Sequence, residues 1–329
     1  KAVTQTRPQS PLRLLAQPWA LALILLTLGL VITAVFQPAF FTPRTLSNNL
    51  RTYLPLVLLA VAQTIVVIGG GIDLSLGAIL TLSSVVMVQT FGPEPDPGLG
   101  RMLGGLALGL LVGTLAGAVN GFCVAYLRLQ PIIATFATAF VWGGLALWVL
   151  PQPGGSVPNT LQELVRVYFL IPFSLWVILA VVLVWVWFLG TRAAKALYAV
   201  GGNPQAAFTS GLNVEWTKLL SYATAGFLTG LGAFFLVADI ATGDPLIGGP
   251  LTLASVVAVV IGGTRLSGGA GGIVGSIMGA VVYYLLKNVV ALSVFNLNLT
   301  PQWQTLIDGT VVVLALAAPG LIRLFRRPR

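Results

Sequence analysis

Residues 66–77 read Val66-Val-Ile-Gly-Gly-Gly-Ile-Asp-Leu-Ser-Leu-Gly77, and this stretch decides the fold. A long apolar run ends in three glycines at 69–71, and a single carboxylate, Asp73, follows them. The pattern returns near the other end of the chain as Val259-Val-Ile-Gly-Gly263, with the same five residues as the start of the first copy. Glycine clusters beside a lone charge in membrane-length apolar sequence predict broken helices, which are typical of transport pathways.

The composition excludes an aqueous fold. The chain has 329 residues, of which 57% are hydrophobic and only 8% are charged, and its mean hydropathy is +0.96. A soluble protein carries about 25% charged residues. Because a membrane helix needs ~20 mostly apolar residues, the repeated charge-free runs predict an all-α polytopic membrane protein. We expect about ten transmembrane helices with glycine-interrupted segments.

The net charge of +9 does not indicate a nucleic-acid partner, because the basic residues are scattered between apolar runs without forming a basic groove. Their distribution instead predicts orientation, since basic residues are retained on the cytoplasmic side of a membrane. With the N-terminus inside and ten spans, the predicted cytoplasmic set is Lys1, Arg7, Arg13, Arg128, Arg192, Lys195, Lys218, Arg265, Arg323, Arg326, Arg327 and Arg329. The predicted outside set is Arg44, Arg51, Arg101, Arg166 and Lys287.

This bias places both termini in the cytoplasm and predicts one membrane domain. Residues 1–18 are expected to form a cytoplasmic N-terminal tail, 19–322 a single transmembrane domain, and 323–329 a basic cytoplasmic C-terminal tail. The first apolar stretch has no convincing cleavage site after it, so we interpret it as a retained helix rather than a signal peptide. Segments 92–100 and 152–171 are expected outside, the second with a short interfacial helix.

Several kinds of chemistry are excluded by residue type. The chain contains no histidine, so His-based acid–base catalysis and His metal ligation are excluded, and its one cysteine, Cys123, cannot form a thiolate zinc cluster. No G-x-x-x-x-G-K-[ST] motif is present to hold ATP phosphates. We therefore expect no enzyme activity and no cofactor in this chain, with any ATP and Mg bound by a separate ATPase polypeptide.

The glycine breaks supply the first group of candidate functional residues. Asp73 is predicted to cap the helix that follows it and to act structurally in gating, in preference to direct contact with a substrate. The helix-break and gating set is Gly69, Gly70, Gly71, Asp73, Ser75, Gly262 and Gly263. Two amides within apolar runs, Gln63 and Asn120, are candidate polar residues of the pathway, although interhelical hydrogen bonding is the favoured interpretation.

Other glycines recur at four-residue spacing. Gly105, Gly109, Gly113, Gly117 and Gly121 form one such series. Residues spaced by four lie on one helix face, where glycines let a neighbouring helix approach closely. We predict helix packing rather than ligand contact for this series, and the same for the shorter series at 271, 275 and 279.

The second informative motif lies in the polar, basic stretch 190–217. Gly201-Gly202-Asn203 is predicted to be a turn, and Pro204 suits the first position of a helix. A short helix would then end at Gly211. Such a helix in a cytoplasmic loop fits a partner's groove, although by pattern alone an ordinary amphipathic connector is the favoured interpretation.

Four sequence blocks together carry a family resemblance. They are Gly70–Gly77, Asn120-Gly121 with Leu127–Thr135, Ala199–Ala207 and Val260–Gly269. These blocks resemble the permease subunits of ribose-type carbohydrate ABC importers, in the branched-chain amino acid/ribose permease superfamily. They follow the family order from about residue 50 to 320, so the resemblance covers nearly the whole chain.

The resemblance implies a permease in the bacterial cytoplasmic (inner) membrane that pairs with a second permease chain as a homo- or heterodimer. It implies two cytoplasmic ATP-binding subunits and an extracytoplasmic solute-binding protein as partners. It also implies that the stretch within 190–217 couples the permease to the ATPase. The residues expected to do so are Gly201, Gly202, Asn203, Pro204, Gln205, Ala206, Ala207 and Gly211.

One position departs from the family pattern. Relatives often carry an acidic pair before the second glycine motif, where this chain has Thr252 and Ala254. The leading hypothesis is import of a monosaccharide-like solute; the alternative is a permease of the same superfamily for branched-chain amino acids, nucleosides or a furanose-like signalling molecule. An intramembrane enzyme or an ion-driven transporter is disfavoured, because paired acid–base groups and intramembrane titratable groups are too few.

Overall fold

The computed structural model describes residues 20–296 and the positions 303, 306, 309, 310 and 313. Within that part the chain folds into twelve α-helices, a 3-10 turn at Pro38–Phe41 and a two-stranded hairpin. The helices are α1 Ala20–Phe36, α2 Pro43–Ile68, α3 Leu76–Phe91, α4 Leu99–Ala125, α5 Pro131–Val149, α6 Asn159–Arg166, α7 Phe173–Leu189, α8 Arg192–Gly202, α9 Pro204–Thr209, α10 Val214–Ile240, α11 Gly249–Ile261 and α12 Ile273–Asn296. The hairpin strands are β1 Tyr168–Phe169 and β2 Ile171–Pro172.

The helices have the length and composition of membrane spans. In the described residues five helices, α2, α4, α5, α10 and α12, are long and apolar enough to cross a membrane, and α7 with α8 forms a sixth candidate bent by 82°. Three shorter apolar helices, α1, α3 and α11, accompany them. The all-helical membrane fold is confirmed, whereas the ten-span count stays a prediction. The predicted tails 1–18 and 323–329 lie outside the described residues.

Helix α2 is the centre of the bundle. Every residue from Tyr53 to Ile68 is buried, because this helix is apolar all round and other helices cover each of its faces. Leu56 and Val57 pack in one cluster with Val257 of α11. Helix α5 lies at the opposite extreme, with most of its apolar side chains exposed for contact with lipid.

The glycine series on α4 packs helices, as predicted. A Cβ on Gly113 would lie 2.6 Å from the Gly226 carbonyl oxygen of α10, and one on Gly117 would lie 2.3 Å from the Tyr222 carbonyl oxygen. Towards the start of α4, Gly109 faces Met87 of α3 in the same way. Because these glycines have no side chain, the α4 backbone packs closely against both α10 and α3.

The second series is shorter than predicted. Gly275 and Gly279 lie on α12 and contact the α11 backbone at Gly262 and Ala258. Gly271 precedes the helix, with φ +137°, so it is not part of that face. Its place in the series was a wrong prediction, because the chain turns sharply at 271 before α12 begins.

The bundle has two distinct ends. At one end, Ser156 and Gly154 of the α5–α6 connection form hydrogen bonds with Gly92 and Gly243. We call this end of the bundle the α6 end. Both glycine breaks lie at the other end, with α8 and α9, and this is named the α8 end. The short helix expected within 152–171 is confirmed as α6, and the β1–β2 hairpin after it was not predicted.

Candidate functional site

The first glycine break, residues 69–75, closes α2 with a defined backbone motif. The Gly70 N–H donates to the Val67 carbonyl at 2.9 Å, and the Gly71 N–H donates to the Val66 carbonyl at 3.0 Å. This is the Schellman pattern, with glycine in the left-handed region at φ +85°. The motif satisfies carbonyl groups at the end of α2 that the apolar phase could not.

The second break, residues 262–272, repeats that motif bond for bond. The Gly263 N–H donates to the Val260 carbonyl at 3.0 Å, and the Thr264 N–H donates to the Val259 carbonyl at 3.2 Å. Gly263 has φ +81°. The identical pentapeptides therefore form identical helix ends, and the repeat seen in the sequence is a structural repeat.

Substitution of Gly70 tests the first cap. We expect Gly70→Val to destabilise the folded protein by about 1–3 kcal/mol, because a β-branched residue is strongly disfavoured at positive φ. Gly144→Val is the matched control, since a Cβ at Gly144 on α5 meets nothing within 4 Å. Thermal unfolding of the two purified variants in detergent measures the difference. Equal midpoints would contradict the cap as the source of stability.

Asp73 lies fully buried in the first break and accepts three hydrogen bonds. The donors are the Ser75 N–H at 2.8 Å, the Ser75 hydroxyl at 2.6 Å and the Asn120 amide at 3.3 Å. The predicted capping geometry is wrong, because Asp73 bonds to the residue that precedes α3 rather than to an amide of its first turn. Non-helical backbone at 72–75 moves the helix start beyond the carboxylate's reach.

Further polar side chains complete a buried network around Asp73. The Gln63 amide, oriented to suit both partners, donates to the Asp73 carbonyl at 3.0 Å and accepts its N–H at 3.3 Å. Thr135 of α5 accepts from the Leu74 N–H at 3.0 Å, and the Trp142 indole donates to Asn120 at 3.3 Å. Asn120 forms the expected interhelical bond, with Trp142 of α5, whereas Gln63 bonds to the non-helical backbone at Asp73. The place of both amides along a pathway stays a prediction. Nothing in the sequence pattern indicated that Trp142 would join them.

At the α8 end the chain forms the predicted short helix, α9. The Asn203 side chain caps it by accepting from the Ala206 N–H at 3.0 Å, with Pro204 at its first position. Gly211, at φ +81°, follows its end. Gly201 and Gly202 are not the predicted turn, because they are the last two residues of α8. Gln205 and Ala206 are exposed, and Ala207 is buried.

Gly201 brings the two breaks together. A Cβ there would lie 1.7 Å from the Ile68 carbonyl oxygen and 2.9 Å from the Gly269 nitrogen. The Gly269 N–H donates to that same Ile68 oxygen at 3.0 Å, so one hydrogen bond joins the breaks directly under α8. A Cβ on Gly268 would lie 2.8 Å from the Gly70 Cα. Three glycine segments far apart in sequence therefore meet as bare backbone.

The non-acidic position Thr252 has a clear contact. The Gly77 N–H of α3 donates to the Thr252 hydroxyl at 3.0 Å, and the Gly248 N–H beside α11 donates to the Thr81 hydroxyl at 3.0 Å. The two contacts are reciprocal: in each, a threonine hydroxyl of one segment accepts a hydrogen bond from a backbone N–H of the other. Ala254 is buried in the apolar cluster with α2.

An arginine-rich cleft of about 550 Å³ opens at the α6 end, lined by Arg44, Arg51 and Arg166 together with Tyr168. Arg51 forms a partly buried ion pair with Asp239, which joins α2 to α10. Among the described residues neither of the other two arginines has an ion pair. This ion pair was not predicted from the sequence, although two opposite charges within apolar runs can indicate such a pair.

Broken membrane helices, a buried polar network beside them and a capped helix exposed at the same end define the class: a multi-pass membrane permease. The chain belongs to the family described as "Branched-chain amino acid transport system / permease component", whose model matches residues 45–316.

Curated relatives support the same assignment. Over 87% of this chain and 88% of the relative, it is 35% identical to the ribose import permease protein RbsC of Bacillus subtilis. It is 33% identical to the fructose import permease protein FrcC of Rhizobium meliloti, over 94% of this chain and 87% of the relative. It is 28% identical to a probable ABC transporter permease protein of Sinorhizobium fredii, over 92% and 87%. No solved structure matches the chain.

The chain is therefore a multi-pass membrane permease of a bacterial ABC importer. It is a transport subunit and not an enzyme, so the resemblance seen in its sequence is confirmed at the level of the family.

Proposed function

We propose that this chain is the transmembrane permease subunit of an ATP-driven, binding-protein-dependent importer and forms the translocation pathway for a monosaccharide-like solute. The observation that carries the proposal is the capped helix α9, exposed at the end of the bundle where α8 packs on both glycine breaks. An exposed short helix can dock in the groove of an ATPase. The names of the ribose and fructose import permeases support a sugar as solute.

The polarity of the buried network favours an uncharged solute. Its side chains at Gln63, Asn120 and Thr135 are neutral, and the Asp73 carboxylate is fully hydrogen-bonded within the chain. A zwitterionic amino acid would need an opposite charge for each of its own when it leaves water. Apart from Asp73, the side chains of this network carry no charge that could meet one. The alternative is a branched-chain amino acid, a nucleoside or a furanose-like signalling molecule, as the family description and superfamily allow.

The proposed assembly contains two permease chains, as a homo- or heterodimer, and two cytoplasmic ATP-binding domains that hold the ATP and Mg. This chain itself is proposed to need no cofactor. The proposed coupling residues are those named in and beside α9. An extracytoplasmic binding protein would deliver the solute. The cleft at the α6 end, whose Arg44 and Arg166 have no ion-pair partner among the described residues, suits an acidic docking surface.

The proposed topology places the α8 end in the cytoplasm and the α6 end outside. Ten spans with both termini cytoplasmic would join a tail at 1–18, a membrane domain at 19–322 and a basic tail at 323–329. The positive-inside rule supports this orientation, because this topology puts twelve basic residues on the cytoplasmic side and five outside. Five of the twelve lie in or beside the breaks and connections of the α8 end: Arg128, Arg192, Lys195, Lys218 and Arg265.

Thiol labelling tests the orientation. In a Cys123→Ser background, we expect Thr209→Cys on α9 to react with a membrane-impermeant maleimide only after the membrane is opened. Glu94→Cys at the α6 end, which is also exposed, should react in intact cells. The opposite pattern would reverse the proposed orientation and remove α9 from the ATPase side.

Reconstitution tests the function. The chain is purified with its ATPase and binding protein, placed in proteoliposomes, and supplied with radiolabelled ribose, fructose, leucine or uridine. We expect uptake of a sugar that requires both ATP and the binding protein. Uptake of leucine or uridine alone would select the alternative, and uptake driven by an ion gradient without ATP would refute the proposal.

A further inference from the structure

Helix α8 contacts both glycine breaks with one face. Leu197, Tyr198 and Gly201 lie within a single turn of α8, and Leu197 and Gly201 are buried. A Cβ on Gly69 would lie 3.1 Å from the Leu197 Cδ1, so this face reaches the first break. The Gly201 backbone covers the hydrogen bond that joins the breaks.

Tyr198 supplies the one side-chain hydrogen bond between α8 and the second break within the part of the chain that the structure describes. Its hydroxyl donates to the Gly271 carbonyl at 2.7 Å. Gly271 has φ +137° and lies at the bend that directs the chain into α12. A bond to this carbonyl therefore fixes the direction in which α12 leaves the break.

We infer that Tyr198 is a positioning residue that ties the second glycine break to α8, so that movement of α9 shifts both breaks as one body. The Gly201 backbone contacts both breaks, and the Tyr198 hydroxyl adds a side-chain hydrogen bond to the second break alone. Helix α9 follows α8 without an intervening loop, because Asn203 both ends α8 and caps α9. If a docked partner displaces α9, α8 moves with it, and the contacts of α8 transmit the movement to the ends of α2 and α11. The inference rests on the proposed function, in which that partner is the ATPase.

Hydrogen exchange of the assembled permease–ATPase complex tests the inference without any solute. A non-hydrolysable ATP analogue with Mg is added, and deuterium uptake is followed in peptides covering 66–77 and 259–272. In the wild type we expect uptake to change in both peptides. In Tyr198→Phe, which keeps the ring and removes only the hydroxyl, the change should persist in 66–77 and fall about five-fold in 259–272. Tyr126→Phe, an exposed tyrosine of the same end, should behave as the wild type.

Three results would overturn the inference. One is an equal response of the two peptides in Tyr198→Phe, and another is a wild type in which 259–272 does not respond. The third is a general rise in exchange with a lower melting temperature in Tyr198→Phe, which would make the tyrosine merely structural. Failure of this inference and failure of the proposed function are measured separately. A wild-type complex that transports no solute refutes the proposed function, whereas the hydrogen-exchange data alone decide the role of Tyr198.

Discussion

Gly201→Ala is expected to abolish transport and to lower the thermal stability of the permease. The added Cβ would lie 1.7 Å from the Ile68 carbonyl oxygen, which is backbone and cannot rotate away. Either α8 must shift or the bond from the Gly269 N–H to that oxygen must break. Overpacking of this kind costs about 1–3 kcal/mol or more. Because a shifted α8 also disturbs its contacts with both breaks, transport by the reconstituted complex should fall at least about ten-fold, which corresponds to a shift of about 1.4 kcal/mol in the conformational equilibrium that transport needs.

Gly202→Ala is the matched control for this prediction. The two glycines are adjacent at the end of α8, yet a Cβ on Gly202 would come no closer than 3.9 Å to the Gly269 Cα. Alanine also favours helix over glycine by about 1 kcal/mol. We therefore expect Gly202→Ala to keep the stability of the wild type. Because Gly202 is one of the proposed coupling residues, the two variants are compared in unfolding. Equal unfolding of the two variants would show that the close backbone contact at Gly201 does not matter.

Asp73→Ala is expected to destabilise the protein more than any other single change in the polar network. The substitution leaves the Ser75 N–H and the Ser75 hydroxyl without the acceptor that each uses, whereas the Asn120 amide still donates to the Ser75 hydroxyl oxygen. A buried donor left unpaired costs about 1–3 kcal/mol, and more when the lost partner is charged. Thermal unfolding in detergent should show a midpoint several degrees below that of the wild type.

Asp73→Asn separates hydrogen bonding from charge at the same position. Asparagine keeps one acceptor oxygen for the Ser75 N–H, so we expect a smaller loss than in Asp73→Ala. A fully assembled, stable Asp73→Ala complex that fails only in transport would favour a direct role in gating over a structural one. If Asp73→Ala unfolded at the wild-type temperature, the network would not contribute to stability.

Local pattern was sufficient for the features that depend on neighbouring residues. The two copies of Val-Val-Ile-Gly-Gly predicted two helix breaks, and both form the same cap because the Schellman motif needs only one turn of helix and a glycine at positive φ. Helix α9 was likewise predictable from Pro204 and Gly211, which act on their own backbone. Four-residue spacing placed the α4 glycines on one face without any knowledge of the partner helix.

Spacing also led to errors where the chain turns. Gly271 fits the four-residue series of α12, but it precedes that helix. Asp73 fits a helix cap in sequence, but the backbone is irregular up to Ser75, so α3 begins too far along the chain for Asp73 to cap it. Gly201 and Gly202 look like a turn in sequence, yet they complete α8 because its backbone is held against the two breaks.

The sequence by itself determined the membrane fold, the position of both breaks and the family, because apolar length, glycine caps and motif order are written along the chain. Only the tertiary structure decided which segments meet. Residues 68, 201 and 269 meet at one hydrogen bond. Asp73 accepts a hydrogen bond from the Asn120 amide, and Thr252 accepts one from the Gly77 N–H. These contacts join residues 47 to more than 170 positions apart. They follow from the packing of whole helices, which fixes distances that no local pattern encodes.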